Sequence, residues 1–308
     1  MEKNLFIALS IAGMLIGTML FAQGEGVDTS SAGQTENNPF YINSYHLQPV
    51  LLPKGKFLFL FHTNIPHYYK WYSPKAGKPE KLSSKMVINE FNFNAMGYYG
   101  LTDRLNLFLR LPVRDVHYYS PMGTRAGIGF GDVVTGGSYS LSDPANTGKN
   151  EVTAGIDLTF PSAKYKNLEK DDAALGEGSF RFRGNVTGLH RVQKFNFIYS
   201  LYYEYRTNHS GYHIGDETGA YFLFQKPFNT SVGRFGIESS LYAYWKFKNT
   251  KEGETIPNTE DYAVSPGLGG WYECADRLYL RFNVPFYVFQ NSAWMTRYDI
   301  LIQLDYVF

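Results

Sequence analysis

Cysteine is almost absent from this chain: one thiol, Cys274, in 308 residues. A lone cysteine forms no intramolecular disulfide, so an exported chain of this length must take its stability from something other than cross-links. Excess charge of either sign is missing too, with 29 Lys and Arg against 28 Asp and Glu. That balance leaves no basic footprint for nucleic acid, and no nucleic-acid partner is expected. After residue 22 no apolar run approaches the roughly 20 residues that a helical membrane span needs. No stretch of 3.6-residue periodicity stands out there either, which argues against an α-helical domain.

The first 22 residues are set apart from fold reasoning. Lys3 precedes a weakly apolar run from Leu5 to Phe21, diluted by Ser10, Gly13, Gly17 and Thr18, and Ala22-Gln23 offers a small-residue cleavage point. This reads as a secretory signal peptide over 1–22, removed on export. A polar N-terminal segment follows over 23–48, and residues 49–308 read as a single domain.

What is abundant is aromatic: 25 Tyr and 24 Phe, alongside 30 Gly, in a chain whose mean hydropathy is slightly polar. A soluble protein fits that average, and so does a membrane β-barrel, whose strands alternate lipid-facing and lumen-facing residues. Periodicity decides between them. In the last segment Tyr298, Ile300, Ile302, Leu304, Tyr306 and Phe308 alternate with Asp299, Leu301, Gln303 and Asp305, which is a two-sided strand. The same pattern predicts strands near 56–64, 86–99, 104–113, 130–141, 151–161, 179–189, 195–206, 218–226, 234–247, 261–272, 277–288 and 296–308. That is an even count, as bacterial single-chain barrels require, and most reach the roughly 9 to 11 residues of a tilted crossing.

Connection lengths alternate as well. Short ones fall at Gly100–Thr102, Asp143–Lys149, His190–Lys194, Phe228–Val232 and Cys274–Asp276, and longer ones at 65–85, 114–129, 162–178, 207–217, 248–260 and 289–295. Short periplasmic turns and long outer loops are the asymmetry of an outer-membrane barrel, whereas a soluble sandwich has no reason to alternate this way. The expected fold is therefore all-β: a transmembrane antiparallel up-and-down barrel of about 12 strands, in the outer membrane of a Gram-negative cell. The outward sets Leu105, Leu107, Leu109, Leu111, then Val152, Ala154, Ile156, Leu158, Phe160, then Phe195, Phe197, Tyr199, Leu201, Tyr203 carry no charge. The first and eighth strands are ambiguous, because Leu58/Leu60 and Tyr221/Leu223 fall on the presumed inner side.

Two stretches repeat one wording: LTDRLNLFLRLPV (Leu101 to Val113) and CADRLYLRFNVPF (Cys274 to Phe286). Each reads as a short turn, a crossing strand and an apolar-Pro pair, a repetition imposed by one bilayer thickness or left by hairpin duplication. Pro66, Pro112, Pro161 and Pro285 are expected at an outer rim, since proline cannot donate to a ladder and belongs where pairing stops. Arg110 and Arg281 then fall near that end of the interior.

PVLLPKGKFLFLF (Pro49 to Phe61), YYGLTDRLNLFLRLPV (Tyr98 to Val113), GIGFGDVVTGGSYSL (Gly127 to Leu141) and DLTFPSAKY (Asp157 to Tyr165) together resemble the outer-membrane family known as "MetA-pathway of phenol degradation", whose members are regarded as outer-membrane transporters. The chain departs from that pattern after Pro161, where Ser162-Ala163 stands in place of Thr-Gly. The resemblance implies a barrel connected with import of small, often aromatic compounds, and it supplies no catalytic residues. The terminal Phe308 resembles the C-terminal signature of outer-membrane barrels, which implies the barrel-assembly machinery as a partner.

Motifs that suggest other chemistry have plainer readings. GIGFGD leads into a strand and not into a helix N-terminus, so it offers no phosphate cradle. His62 and His67 lack the third and fourth ligands that zinc wants. Asp171, Asp172 and Glu177 place oxygens in one loop, and a solvated loop is the simpler account than calcium. A lipid-modifying outer-membrane enzyme is the remaining alternative, but Ser179 with His209 or His213 lies near the outer ends of strands without an orienting third group, too little for a nucleophile and its base. No enzyme activity, metal or cofactor is expected. The functional candidates are the inward polar residues Glu90, Arg110, Asp132, Asp157, Arg181, Arg183, Glu204, Glu238, Lys246, Arg281, Asp299 and Asp305, as the lining of a narrow pore. Inward Tyr202, Tyr242, Tyr244, Trp271 and Tyr279 offer ring faces to a small solute. Mixed charge inside a barrel of this size fits either a wetted channel for small molecules or a salt-bridged interior, the latter leaving a membrane anchor or a platform of outer loops.

Overall fold

Alternation of apolar and polar residues resolves into twelve long strands in the computed structural model. The described residues are 51–73, 78–82, 86–120, 123–142, 150–164, 172–192, 194–208, 211–231, 233–257, 259–292 and 294–308. The expected signal peptide, the polar segment 23–48 and the turn 143–149 lie outside them. The strands are β1 (Phe57–Ser73), β2 (Val87–Gly100), β3 (Leu105–Ser120), β4 (Val133–Ser140), β5 (Asn150–Phe160) and β6 (Arg181–Val192), followed by β7 (Phe195–Arg206), β8 (Glu217–Thr230), β9 (Gly233–Lys246), β10 (Asp261–Ala275), β11 (Leu278–Pro285) and β12 (Trp294–Val307). Each pairs antiparallel with its sequence neighbours, and β12 pairs with β1, from Leu58 opposite Val307 to Trp71 opposite Trp294. The ring is closed. Closure removes edge strands and satisfies backbone groups within lipid, and so takes over the role that disulfides play in secreted proteins.

Several expected boundaries move. Residues 65–85 and 114–129 read as loops, yet β1 runs on to Ser73 with a short strand, Lys78–Lys81, returning beside it, and β3 runs to Ser120 with Gly123–Phe130 returning. These hairpins rise past the apolar band. Outside lipid nothing imposes strict alternation, while Tyr68, Tyr69, Tyr118 and Tyr119 still favour extended backbone. The loops 207–216 and 247–260 hold a further small sheet of Tyr212–His213, Thr250–Lys251 and Glu254–Thr255.

The four prolines do not form one rim. Pro161 follows the end of β5 and Pro285 ends β11, but Pro66 and Pro112 lie within β1 and β3. Each of the latter sits where one neighbouring strand lets go. The β1–β2 ladder ends at Asn64 opposite Asn92, just before Pro66. The β3–β4 ladder ends at Arg110 opposite Val134, and the β3 pairing with 123–130 starts at Val113. Pro112 fills the gap, its carbonyl accepting the Gly131 N–H at 2.8 Å. A missing donor is tolerated at such a switch of partner. Arg110 is thus a mid-strand residue and not one at the outer end.

Strand tilt turns pairing rows into a stair. One inward row runs Leu58, Tyr98, Phe108, Gly136, Asp157, Arg183, Glu204, Glu217, Lys246, Asp261, from near the start of β1 to the start of β10. The row begins near the short-turn end and finishes at the long-loop end. Its lower part is apolar, and Leu52, Leu58, Leu60, Met96, Tyr98, Phe108 and Val134 pack as one buried cluster. A second cluster holds Leu189, Ile198, Tyr202, Tyr221, Leu223 and Tyr242. The ambiguous Leu58/Leu60 and Tyr221/Leu223 do face inward, filling space that a barrel this narrow leaves between its walls.

Candidate functional site

The upper part of the stair is a charge ladder. Glu204 on β7 takes Arg183 on β6 at 2.6 Å and Arg206 on its own strand at 2.9 Å, with Arg181 farther off at 3.9 Å. Arg206 bridges on to Glu217 of β8 at 2.9 Å. The Arg183 guanidinium also lies over the Tyr202 ring, 4.5 Å from its centroid. Tyr202 meets Glu217 at 2.7 Å and the Tyr242 hydroxyl at 2.9 Å. Tyr244 donates to Asp261 at 2.7 Å, and Lys246 lies 3.7 Å from the same carboxylate. Two guanidinia satisfy the buried Glu204 with charge-assisted bonds, which run shorter and stronger than neutral ones, and the third adds its charge from farther off.

Other groups sit nearer the short-turn end. Arg281 on β11 meets Glu238 on β9 at 3.0 Å, and Gln225 donates to the same carboxylate. Asp305 accepts from Gln303 at 2.7 Å. Higher on the wall, Asp299 accepts from Asn64 at 3.1 Å, and Glu90 collects Arg114 at 2.7 Å, Tyr68 at 2.7 Å and Asn92 at 3.0 Å. Asp157 accepts from Asn185 at 3.3 Å. Trp271 and Tyr279 meet edge to face at 6.0 Å.

Asp132 has a different task. It accepts backbone N–H groups of Ala163 at 3.2 Å and Glu177 at 3.1 Å, with Arg181 3.7 Å away. The segment from Ala173 to Gly178 is thereby held over the inner face of Gly123–Phe130, where Ala173 donates its N–H to the Ala126 carbonyl at 2.9 Å and Arg114 reaches the Leu175 carbonyl at 3.2 Å. Gly127 and Gly129 make this possible: a Cβ on either would press on Ala173 or Leu175. The glycines of GIGFGD are spacers for a loop that folds inward.

All twelve expected inward residues are buried or half-buried on the inner side. Arg181, Arg183 and Glu204 come together, as do Glu238 and Arg281, with Asp305 beside them through Gln303, which faces Arg281, while Glu90 and Asp299 stay apart from those groups. Arg206, Glu217, Arg114 and Asp261 complete the networks and were not anticipated. Arg206 was legible, since it shares the inward parity of Tyr202 and Glu204; Arg114 and Glu217 were hidden inside residues read as loops. His62 points inward and His67 outward, where it stacks on Tyr298 at 4.8 Å, so the two are not partners in a metal site. Ser179 is buried with no partner for its hydroxyl among the described residues, and His213 lies 3.4 Å from Asp216. Asp171 and His209 lie outside the described residues. Asp172 pairs with Lys164 at 2.6 Å, and Glu177 lies 3.8 Å from Arg181.

Residues 82–288 match the profile of the family described as "Putative MetA-pathway of phenol degradation". The chain belongs to this family of outer-membrane barrels. The fold is similar to that in the crystal structure of the COG4313 outer membrane channel from Pseudomonas putida F1, which is 16% identical and superposes with a TM-score of 0.67 over 83% of this chain and 97% of that one. The β domain of the Bordetella autotransporter Brka gives 0.48 at 10% identity over 83% and 100%, and the NanC porin 0.44 at 11% over 81% and 98%. No curated protein matches the sequence. For this member of the phenol-degradation family, the twelve-stranded ring and its inward charge ladder are the features from which function is argued.

Proposed function

We propose that the protein is a narrow outer-membrane channel through which small molecules, aromatic or hydrophobic ones among them, pass without energy input. The observation that carries this reading is the segregation of charge. The inner wall holds carboxylates and guanidinia from short-turn end to long-loop end, while outward Leu107, Leu109, Ile156 and Leu268 are exposed for lipid. A charge on the lipid face at the midplane costs about 2–4 kcal/mol, so the wall is built for a bilayer outside and for polar contacts inside. Mixed charge at close quarters gives weak ionic preference and a small bore. The name of the Pseudomonas putida F1 channel agrees with this reading, as does the family description. Liposome swelling tests it: vesicles holding the folded barrel swell in small neutral solutes faster than empty vesicles do, and equal rates contradict the proposal.

A second reading has its own observation. Gln225, Ser265, Glu238 and Tyr221 are sealed to 1% exposure or less. In that reading the barrel is closed and acts as an anchor or a platform for its outer loops. Swelling that is absent from folded barrels, and unchanged when Arg181 or Arg183 is replaced by Ala, favours it.

A further inference from the structure

Arginines on the inner wall are well matched. Arg114, Arg183, Arg206, Arg234 and Arg281 each meet a carboxylate at 3.1 Å or less. Arg110, at the middle of β3, meets none within the 4.0 Å of an ion pair among the described residues, and its Nε is buried without an acceptor. The charges near it include Arg183 and Arg181, both positive, and the negative Asp157. A half-buried guanidinium with no carboxylate in ion-pair reach is costly unless an anion completes it.

A second orphan stands beside it. His62 on β1 is 6% exposed, and neither ring nitrogen has a partner among the described residues. Its pairing row is His62, Asn94, Pro112, directly above the row Leu60, Met96, Arg110, and the Arg110 charge acts on it. Asn94 lies on the strand between them and faces the same way. Three donor-bearing side chains therefore share one patch of the inner wall. Below and beside the patch lie Met96 and Val134, which flank Arg110 on β2 and β4, and Phe108, two residues before it on β3.

We infer that His62, Asn94 and Arg110 form a lumenal site for a small carboxylate with an apolar body. Arg110 offers the planar fork that grips two carboxylate oxygens, His62 and Asn94 donate from the side, and the body rests toward Met96, Phe108 and Val134. The inference rests on the channel reading for its meaning in transport, as a way station midway along the lumen, but binding is measurable without transport.

The test uses the full chain folded in detergent, with folding checked by heat-modifiable gel mobility, and titrates it with benzoate and with neutral benzyl alcohol. Benzoate is expected to bind saturably to the wild type and at least about tenfold more tightly than the alcohol, the advantage of charge-assisted bonds. R110Q is expected to erase that advantage, H62Q to reduce it, and R125Q, on the exposed short strand, to leave it unchanged. Equal binding of the two probes by the wild type, a comparison that needs no variant, overturns the site, as does full benzoate affinity in folded R110Q. Bilayer conductance on the same preparation separates the two ideas. Benzoate preference without conductance keeps the site and removes the channel, while conductance without preference does the reverse.

Discussion

Arg183 and Glu204 face each other across the β6–β7 ladder with Nη2 2.6 Å from Oε2, and Arg206 holds the other oxygen of that carboxylate at 2.9 Å. The register of the β6–β7 ladder places Arg183 directly opposite Glu204 on the inner face, and Glu217 of β8 follows in the same row. Around this carboxylate the interior is most tightly specified.

Glu204→Ala leaves Arg183 and Arg206 without their shared partner in a site that solvent hardly reaches. Breaking one side of a buried charge network costs about 3–5 kcal/mol. Urea unfolding of the barrel in lipid is expected to show that loss. Glu204→Gln, which keeps the shape and accepts one hydrogen bond, is expected to lose less.

Gly236 on β9 lies beneath the Trp271 indole, and a Cβ there would overlap the ring. Gly236→Ala is expected to displace the indole and to cost about 1–3 kcal/mol, the usual penalty for overpacking. Unfolding curves give the energy, and a shift in tryptophan emission reports the displacement.

Leu109 and Arg110 are neighbours on β3 that face opposite ways, with Leu109 46% exposed toward lipid. Leu109→Arg is expected to destabilise the barrel by about 2–4 kcal/mol in bilayers. Arg110→Leu, on the lumen side, is expected to fold with near wild-type stability. Folding yield into vesicles distinguishes the two.

Phe308 donates its N–H to the Phe57 carbonyl at 2.9 Å and meets Phe59 and Tyr306 edge to face at 5.5 and 4.4 Å, sealing the β1–β12 seam. Phe308→Ala is expected to lower the amount of barrel inserted in cells while purified chain still refolds in detergent. Equal loss in both settings assigns Phe308 to stability alone and not to recognition by the assembly machinery.

These outcomes depend on facing, and facing is what the sequence states best. A period of two placed Leu109 outward and Arg110 inward, and it put Glu204, Glu238 and Asp305 on the lumen side. All twelve staves were found where alternation survives. Where the chain leaves the bilayer, the pattern loosens, so the upper parts of β1 and β3 read as loops and Arg114 went unnoticed. Pairing partners were hidden for another reason. Parity says which side a residue faces, but the register that sets Asp157 beside Arg183, and Arg183 beside Glu204, depends on how each turn joins two strands, which alternation does not state. For the same reason the isolation of Arg110 cannot be read from its own strand.

In the channel reading the ring encloses a path. Single-channel recording in planar bilayers, on barrels whose folded state is confirmed by gel mobility, measures that path directly. Discrete small conductance steps in KCl are expected, with an ion preference that changes when Arg181 or Arg183 is replaced by Ala. A folded barrel that inserts and carries no current contradicts that reading.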